Sequence, residues 1–296
     1  MTAALTPSNA EHRLPAAAQD AINERLYRRA NLVSCYSSTK LYPSEATVLV
    51  RYREDIVNRR ILDLGCGAGR LATFFRPHID RYVGLDISPY MVTHCRRAFA
   101  GMEFVEGDIR DLSQFDAGSF EAIFAVSNLI DAVTHEDRLQ VFKELRRVLA
   151  NRGLLVFSSH NRNYVHAGDP PQLTFHRNPW TQLRSFADYI KATANHRRIR
   201  PLHRFESDYA LLNDSGNNFN SLHYYVSRDV ATRQLDAGGF QFIECLDELG
   251  HSLTRADDDR DCPSLLYVAR RSDDAAFDDR ESEIHTPEVA FSLVCQ

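Results

Sequence analysis

Three aspartates recur at one kind of place in this sequence. Asp63 lies within the short apolar run Ile61–Leu64, Asp86 ends the run that begins at Tyr82, and Asp108 follows Glu103–Val105. Between the first and the second lies a glycine-rich turn, Gly65-Cys66-Gly67-Ala68-Gly69. Glycines at a strand end let the backbone turn sharply and let a ligand approach closely. Asp86 stands 21 positions after Gly65, where a carboxylate is placed to take both hydroxyls of an adenosine ribose. Asp108, in Glu106-Gly107-Asp108-Ile109, is placed to accept from an exocyclic adenine amine, with Ile109 against the ring face. Ordinary helix caps would explain any one of these acids. They explain less well three in register with a glycine loop.

Positioning them requires alternating strands and helices. Helices are predicted after the loop (Arg70–Phe75), from Ser88-Pro89, and from Thr134, where Asp137 completes a capping-box-like pair. Leu139, Phe142, Leu145 and Leu149 give the last of these an apolar stripe. Further strands are predicted at Phe120–Val126, Leu154–Ser159, Phe240–Leu246 and Leu265–Ala269, with a helix over Ser227–Leu235. This alternation predicts an α/β fold with a doubly wound, mostly parallel sheet. The pattern breaks after Ser159, so residues 160–222 read as an inserted lid with one helix near Thr181–Ala194. Residues 1–58 read as an N-terminal helical cap, 59–159 with 223–270 as the core, and 271–296 as an acidic tail.

The bulk numbers bound the function. The 296 residues, 44% of them apolar, suffice for a large core, and a net charge of −5 argues against a nucleic-acid glove. The six cysteines have no CxxC spacing, and no signal peptide or membrane span is visible, so the chain reads as cytoplasmic with reduced thiols. No cluster has metal-ligand spacing, so no metal is expected. The lid carries eight Lys or Arg between His160 and Arg204 against two Asp, a balance of +6. Arg197, Arg198, Arg200 and Arg204 are its densest group, and they suggest an anionic small-molecule partner. A solvated helix face accounts for them equally well.

The stretches ILDLGCGAGR (61–70), YVGLDIS (82–88), FVEGDI (104–109), FEAIFAVSNLID (120–131), LRRVLANRGLLVFSSHN (145–161) and HYYVSRDVATRQLDAGGF (223–240) together resemble the class I S-adenosylmethionine-dependent methyltransferase family. The resemblance implies a seven-stranded Rossmann-like sheet whose last strand is antiparallel. It implies S-adenosyl-L-methionine as cofactor and S-adenosyl-L-homocysteine as product. Carried over by position, Gly65, Cys66 and Gly67 line the methionine part, and Asp63 bonds its ammonium. Asp86 holds the ribose, Ile87 and Met91 pack on the adenine, and Gly107, Asp108 and Ile109 contact its edge and face. Val126, Ser127 and Asn128 lie beside the sulfonium. A nicotinamide oxidoreductase shares the fold, but Arg70 occupies the sixth fingerprint position, where a small residue is needed, and Asp63 would repel a pyrophosphate.

Candidate bases lie after the fourth and fifth strands and at the return to the core: His160 first, His223 second, then Asp131. Tyr36, Tyr42, Tyr164, Arg198, Arg200 and Tyr224 are candidate acceptor contacts. An Asn/Asp-Pro-Pro-aromatic motif of amino-methylating DNA enzymes is absent after the fourth strand, where Ser127-Asn128-Leu129-Ile130 stands. The expectation is therefore O- or N-methylation of a small metabolite, with no membrane partner. RNA or protein acceptors, and a non-catalytic cofactor-binding scaffold, are the alternatives.

Overall fold

Five short runs become the strands β1 (Arg60–Leu64), β2 (Arg81–Asp86), β3 (Glu103–Glu106), β4 (Phe120–Ala125) and β5 (Leu149–Asn161) in the computed structural model, which describes residues 10–28, 40–76 and 81–273. They pair in parallel in the order β3-β2-β1-β4-β5. β10 (Ser264–Arg271) lies antiparallel between β5 and β9 (Phe240–Leu246). The central strands β1, β4 and β5 are apolar on both faces because helices cover both, whereas β3 and β9 carry exposed polar residues. Leu62, Leu64, Ile123, Leu155 and Phe157 pack on one side; Ile61, Phe124, Leu154 and Val156 alternate with them on the other.

The sheet has ten strands rather than seven. Of the three more, β6 (Arg204–Phe205) and β7 (Tyr209–Leu212) come from the segment expected to be a largely irregular lid, and β8 (His223–Val226) opens the segment expected as core; together they form an antiparallel meander. The reason lies in β5. Its thirteen residues run past Ala125, where β4 ends, and the overhanging His160 and Asn161 would expose an open edge. β8 closes it in parallel, pairing His160 with Tyr225 and Asn161 with Val226. The lid helix is longer than expected, Pro179–Ile199, and starts at Asn178, whose side chain accepts from the N–H groups of Trp180 and Thr181.

The helices, in chain order, are α1 (Ala10–Tyr27), α2 (Pro43–Arg51), α3 (Arg53–Ile56), α4 (Arg70–Phe75), α5 (Pro89–Ala98), α6 (His135–Val148), α7 (Pro179–Ile199) and α8 (Arg228–Ala237). α1 is tied down by two buried amides. Gln19 donates to the Val133 carbonyl at 2.8 Å, and Asn23 donates to the carbonyls of Ala132 and Leu222 at 2.7 and 2.6 Å. Thr134 caps α6 by accepting from the Asp137 N–H at 3.1 Å, while the Asp137 carboxylate turns to Arg110 instead of closing the box. Leu139 is not on the buried stripe of α6; it is 36% exposed. Arg138 takes that face, fully buried, donating to Asp131 at 2.6 Å, to Gln234 at 3.1 Å and to Ser159 at 3.3 Å.

Removing one member of a buried ion pair strands the other charge. Arg138→Ala is therefore expected to lose about 3–5 kcal/mol of stability, read from urea denaturation. A loss below about 1 kcal/mol, the ordinary scale of an exposed pair, would show that Asp131 does not depend on it.

Candidate functional site

The glycine loop follows β1 directly, and Gly65, Gly67 and Gly69 all have positive φ, at 59°, 55° and 84°. A side chain at Gly65 would also collide with Leu129, whose Cδ1 would lie 2.4 Å from a Cβ there. The loop forms one wall of a cleft of about 190 Å³. Asp86 faces it with both oxygens already fixed: one accepts from the Gly67 N–H at 2.9 Å and the other from Ser88 N–H at 2.8 Å. Burial raises its pKa, and those two N–H groups work against the rise. Asp63 lies deeper and accepts from the Tyr82 hydroxyl at 2.5 Å. Burial pushes its pKa up to about 7, with the Tyr82 bond pulling the other way. Arg70, the residue that spoils a dinucleotide fingerprint, pairs with Glu45 of α2 and donates to Ser127 at 2.9 Å. It also sits 5.1 Å from the Tyr42 ring.

At the far end of the cleft Ile87, Met91 and Ile109 supply apolar surface. Asp108 lines it too, but Arg110 engages both its carboxylate oxygens, the shortest contact at 2.6 Å. Burial would raise the Asp108 pKa; the Arg110 hydrogen bonds and charge hold it below the usual range. Arg110 also reaches Asp20 of α1 and Asp137 of α6, both at 3.2 Å. α1 thereby closes the cleft with Asp20, Asn23, Glu24 and Tyr27.

After β4, Ser127 and Asn128 both take left-handed backbone (φ 58° and 56°), unusual for residues with side chains. The Asn128 N–H donates to Ser158 at 2.7 Å. Its Oδ1 is buried without a hydrogen-bond partner among the described residues. Ser127, Asn128 and Tyr27 line the cleft and also a second, larger cavity of about 1040 Å³ roofed by the lid. Its inner wall holds His160, Asp214, His223 and Tyr225. His160 is anchored from behind: Asp131 accepts from its backbone N–H at 2.7 Å and from Nδ1 at 2.8 Å. His223 donates from Nδ1 to Asp214 at 2.7 Å, while its Nε2 lies 3.1 Å from the Tyr27 hydroxyl. Burial opposes charge on both partners, but each one's charge outweighs it. The Asp214 pKa falls well below the carboxylate range and that of His223 rises.

The structure brings His160, His223 and Tyr164 together on this cavity. It does not bring the others. Asp131 is fully buried behind His160, paired with Arg138, so it positions rather than meets a substrate. Tyr224, also fully buried, has Arg138 over its ring and stacks with His135 and Tyr209. Tyr42 is 58% exposed outside both cavities. Arg198 and Arg200 end α7 away from the cavity, where Arg198 bonds Asn220; the lid cation in the lining is Arg184. Tyr36 falls outside the described residues. Sequence reasoning missed Asp214, Tyr225 and Tyr27. Asp214 stands in Asn213-Asp214-Ser215-Gly216, which reads as a turn and carries no other signal.

Residues 61–153 match the family of methyltransferase domains. That domain and the fold together support a class I S-adenosylmethionine-dependent methyltransferase. It is similar to a fatty-acid O-methyltransferase of Mycolicibacterium smegmatis, 35% identical over 43% of this chain and 44% of that one. It is also similar to a malonyl-[acyl-carrier protein] O-methyltransferase of Enterobacter lignolyticus, 35% identical over 34% of this chain and 38% of that one. The chain thus spans less than half the length of these curated relatives. In fold it resembles a Burkholderia thailandensis 1,6-didemethyltoxoflavin-N1-methyltransferase solved with 1,6-didemethyltoxoflavin and S-adenosylhomocysteine. The TM-score is 0.54 and the identity 12%, over 92% of this chain and 94% of that one.

The cofactor of this class is S-adenosylmethionine, and the cleft fits it. Its wall offers acids and apolar faces in alternation, suited to a ligand with a diol, an aromatic ring and positive charge, and Asn128 adds an unsatisfied acceptor at the junction of the cavities. An Asp63 that titrates near neutrality makes the binding of a cationic amino group pH-dependent. The ammonium favours ionised Asp63, so binding releases a proton wherever the free site holds one. Affinity for S-adenosylhomocysteine should be flat above about pH 7 and weaken by up to about tenfold per unit below it. Asp63→Asn should flatten that profile in calorimetric titrations between about pH 5.5 and 8; an unaltered slope would place the titrating group elsewhere.

Proposed function

We propose that this chain transfers a methyl group from S-adenosylmethionine to a small molecule seated in the lid cavity. One observation carries the reading. Tyr27, Ser127 and Asn128 line both the cleft and the larger cavity, so ligands in the two spaces meet at the end of β4. Asp63, Asp86, the glycine loop and the surfaces of Ile87, Met91 and Ile109 would hold the cofactor. When bound, it supplies an activated methyl group for in-line displacement. The chain then needs chiefly to align the acceptor and exclude competing geometries.

His160 is the catalytic residue of this reading. Its backbone and Nδ1 are fixed on Asp131, so Nε2 is held toward the cavity, where the acceptor's reacting atom and its proton must be handled. Fixing an imidazole through its other nitrogen sets the tautomer and the direction of the free one. Asp131 is the positioning residue behind it. His160→Ala is expected to lower kcat by about 10²–10⁴-fold while S-adenosylhomocysteine affinity stays unchanged; full turnover in this variant would remove His160 from the mechanism.

A small acceptor accords with the relative named for O-methylation of a fatty acid. An anionic one has Arg184 as its lysine-or-arginine contact in the lining, which otherwise carries Asp169, Asp188, Asp214 and Glu248. The test of the whole reading is transfer of a tritiated methyl group from S-adenosylmethionine into fractionated extract. Label in the small-molecule fraction, lost in Asp86→Ala, supports it. Label in RNA or protein overturns the choice of acceptor. With an anionic product identified, Arg184→Ala should raise KM and leave kcat; an unchanged KM would show that the acceptor's charge is not read there.

A further inference from the structure

His160 and Asp214 confront each other in a way that is incomplete. Asp131 is acceptor-only while paired with Arg138, so the 2.8 Å contact with His160 Nδ1 requires the ring proton on Nδ1. The neutral ring then turns the lone pair of Nε2 toward Asp214 Oδ2, itself an acceptor, 3.5 Å away. Two acceptors facing one another need a positive charge between them, supplied by a second ring proton or by a metal ion. His223 Nδ1 converges on the same oxygen at 2.7 Å, a hydrogen bond that gives up its proton and lengthens when an ion enters. One donor atom from each of the three residues falls within 4.8 Å of the others. Two bonds of about 2.1 Å at a tetrahedral angle place their donor atoms about 3.4 Å apart, close to the His160–Asp214 spacing.

We propose that His160 Nε2, Asp214 Oδ2 and His223 Nδ1 bind a divalent transition-metal ion of the zinc class, with its open position facing the acceptor cavity. The surrounding residues are arranged as metal sites arrange theirs, each ligand held by a partner behind it. Asp131 holds His160, the Tyr27 hydroxyl lies 3.1 Å from His223 Nε2, and Tyr225 donates to Asp214 at 2.9 Å. Two imidazoles and one carboxylate suit zinc, cobalt, nickel or iron rather than magnesium or calcium, which prefer an all-oxygen shell. Three protein ligands leave a position for an oxygen of the acceptor. The two stacked imidazoles, their ring centroids 4.9 Å apart, sit on β5 and β8, so the strand that closes the sheet edge also completes the site. With an ion bound, His160 acts as its ligand, and the acceptor's oxygen is held by the ion. That last step rests on the reading of this cavity as the acceptor's; the binding of the ion does not.

The test uses the full chain, dialysed against chelator and titrated with Co²⁺ followed by its visible absorption, and with Zn²⁺ by calorimetry. One saturable equivalent per chain is expected. Asp214→Ala and His223→Ala should weaken it by at least about 100-fold, and Tyr27→Phe by about 10-fold. His166→Ala, an exposed histidine at the cavity mouth, should leave it unchanged. Circular dichroism checks that each variant folds, and Asp214→Asn, which keeps the shape without the charge, serves if the alanine variant does not. Absence of saturable binding, or binding that survives loss of Asp214 and His223, overturns the proposal. S-adenosylhomocysteine is titrated separately. Ion binding without it would sink the methyl-transfer reading alone, and its binding without the ion would sink this one alone.

Discussion

The His160 side of the lid cavity hangs on the buried carboxylate of Asp131. It accepts from Arg138, from the Ser159 hydroxyl and twice from His160, and so joins the end of β4, helix α6 and the end of β5 at one point. A charge with no exposure is stable only when it is fully paired. Here that requirement fixes four groups from two elements, α6 and β5, at once. The same residue that makes this stretch of core polar also sets the direction of the His160 ring. Stability and chemistry share one anchor, and α6 therefore carries an arginine where its periodicity would otherwise place an aliphatic side chain.

The cofactor side obeys a different constraint, local backbone shape. Three left-handed glycines follow β1 and two left-handed polar residues follow β4. Non-glycine residues in that conformation carry strain that the surroundings must offset. Around Ser127 and Asn128 the offset is visible in the bonds to Arg70 and Ser158. Arg70 in turn ties the N-terminal helices to the cleft through Glu45.

The cleft beside the glycine loop was legible in the sequence because its signals are local. Apolar runs, glycines and aspartates within a few positions of each strand end name their own places, and Asp63, Asp86 and the Gly65–Gly69 loop line the cleft. The acceptor side was not. His160, Asp214 and His223 meet only because β8 pairs with the overhang of β5, a contact between segments more than sixty residues apart. Nothing near Asp214 in the sequence announces it. The arginines misled for a related reason: density in sequence is not direction in space. On α7 the face bearing Thr181, Arg184, Asp188 and Ala192 meets the cavity, while Arg198 lies at the helix's end beside Asn220. Leu139 was misplaced because a charged residue, Arg138, outcompeted it for the interior.

The way the lid is attached has a bearing on how such proteins can be recombined. An insertion tethered only by its two ends can be exchanged between relatives as a cassette. This one pairs its β7 with β8, which closes the edge of the parent sheet, and Asn23 of α1 bonds the backbone of Leu222 just before β8. A chimera cut at the lid's apparent borders would part β8 from its antiparallel partner β7 and remove one of the carbonyls that hold α1, that of Leu222. Grafting a new lid onto this scaffold therefore means moving it together with β8, which continues it in sequence, and with α1, which is far from both in sequence and joined to them in space.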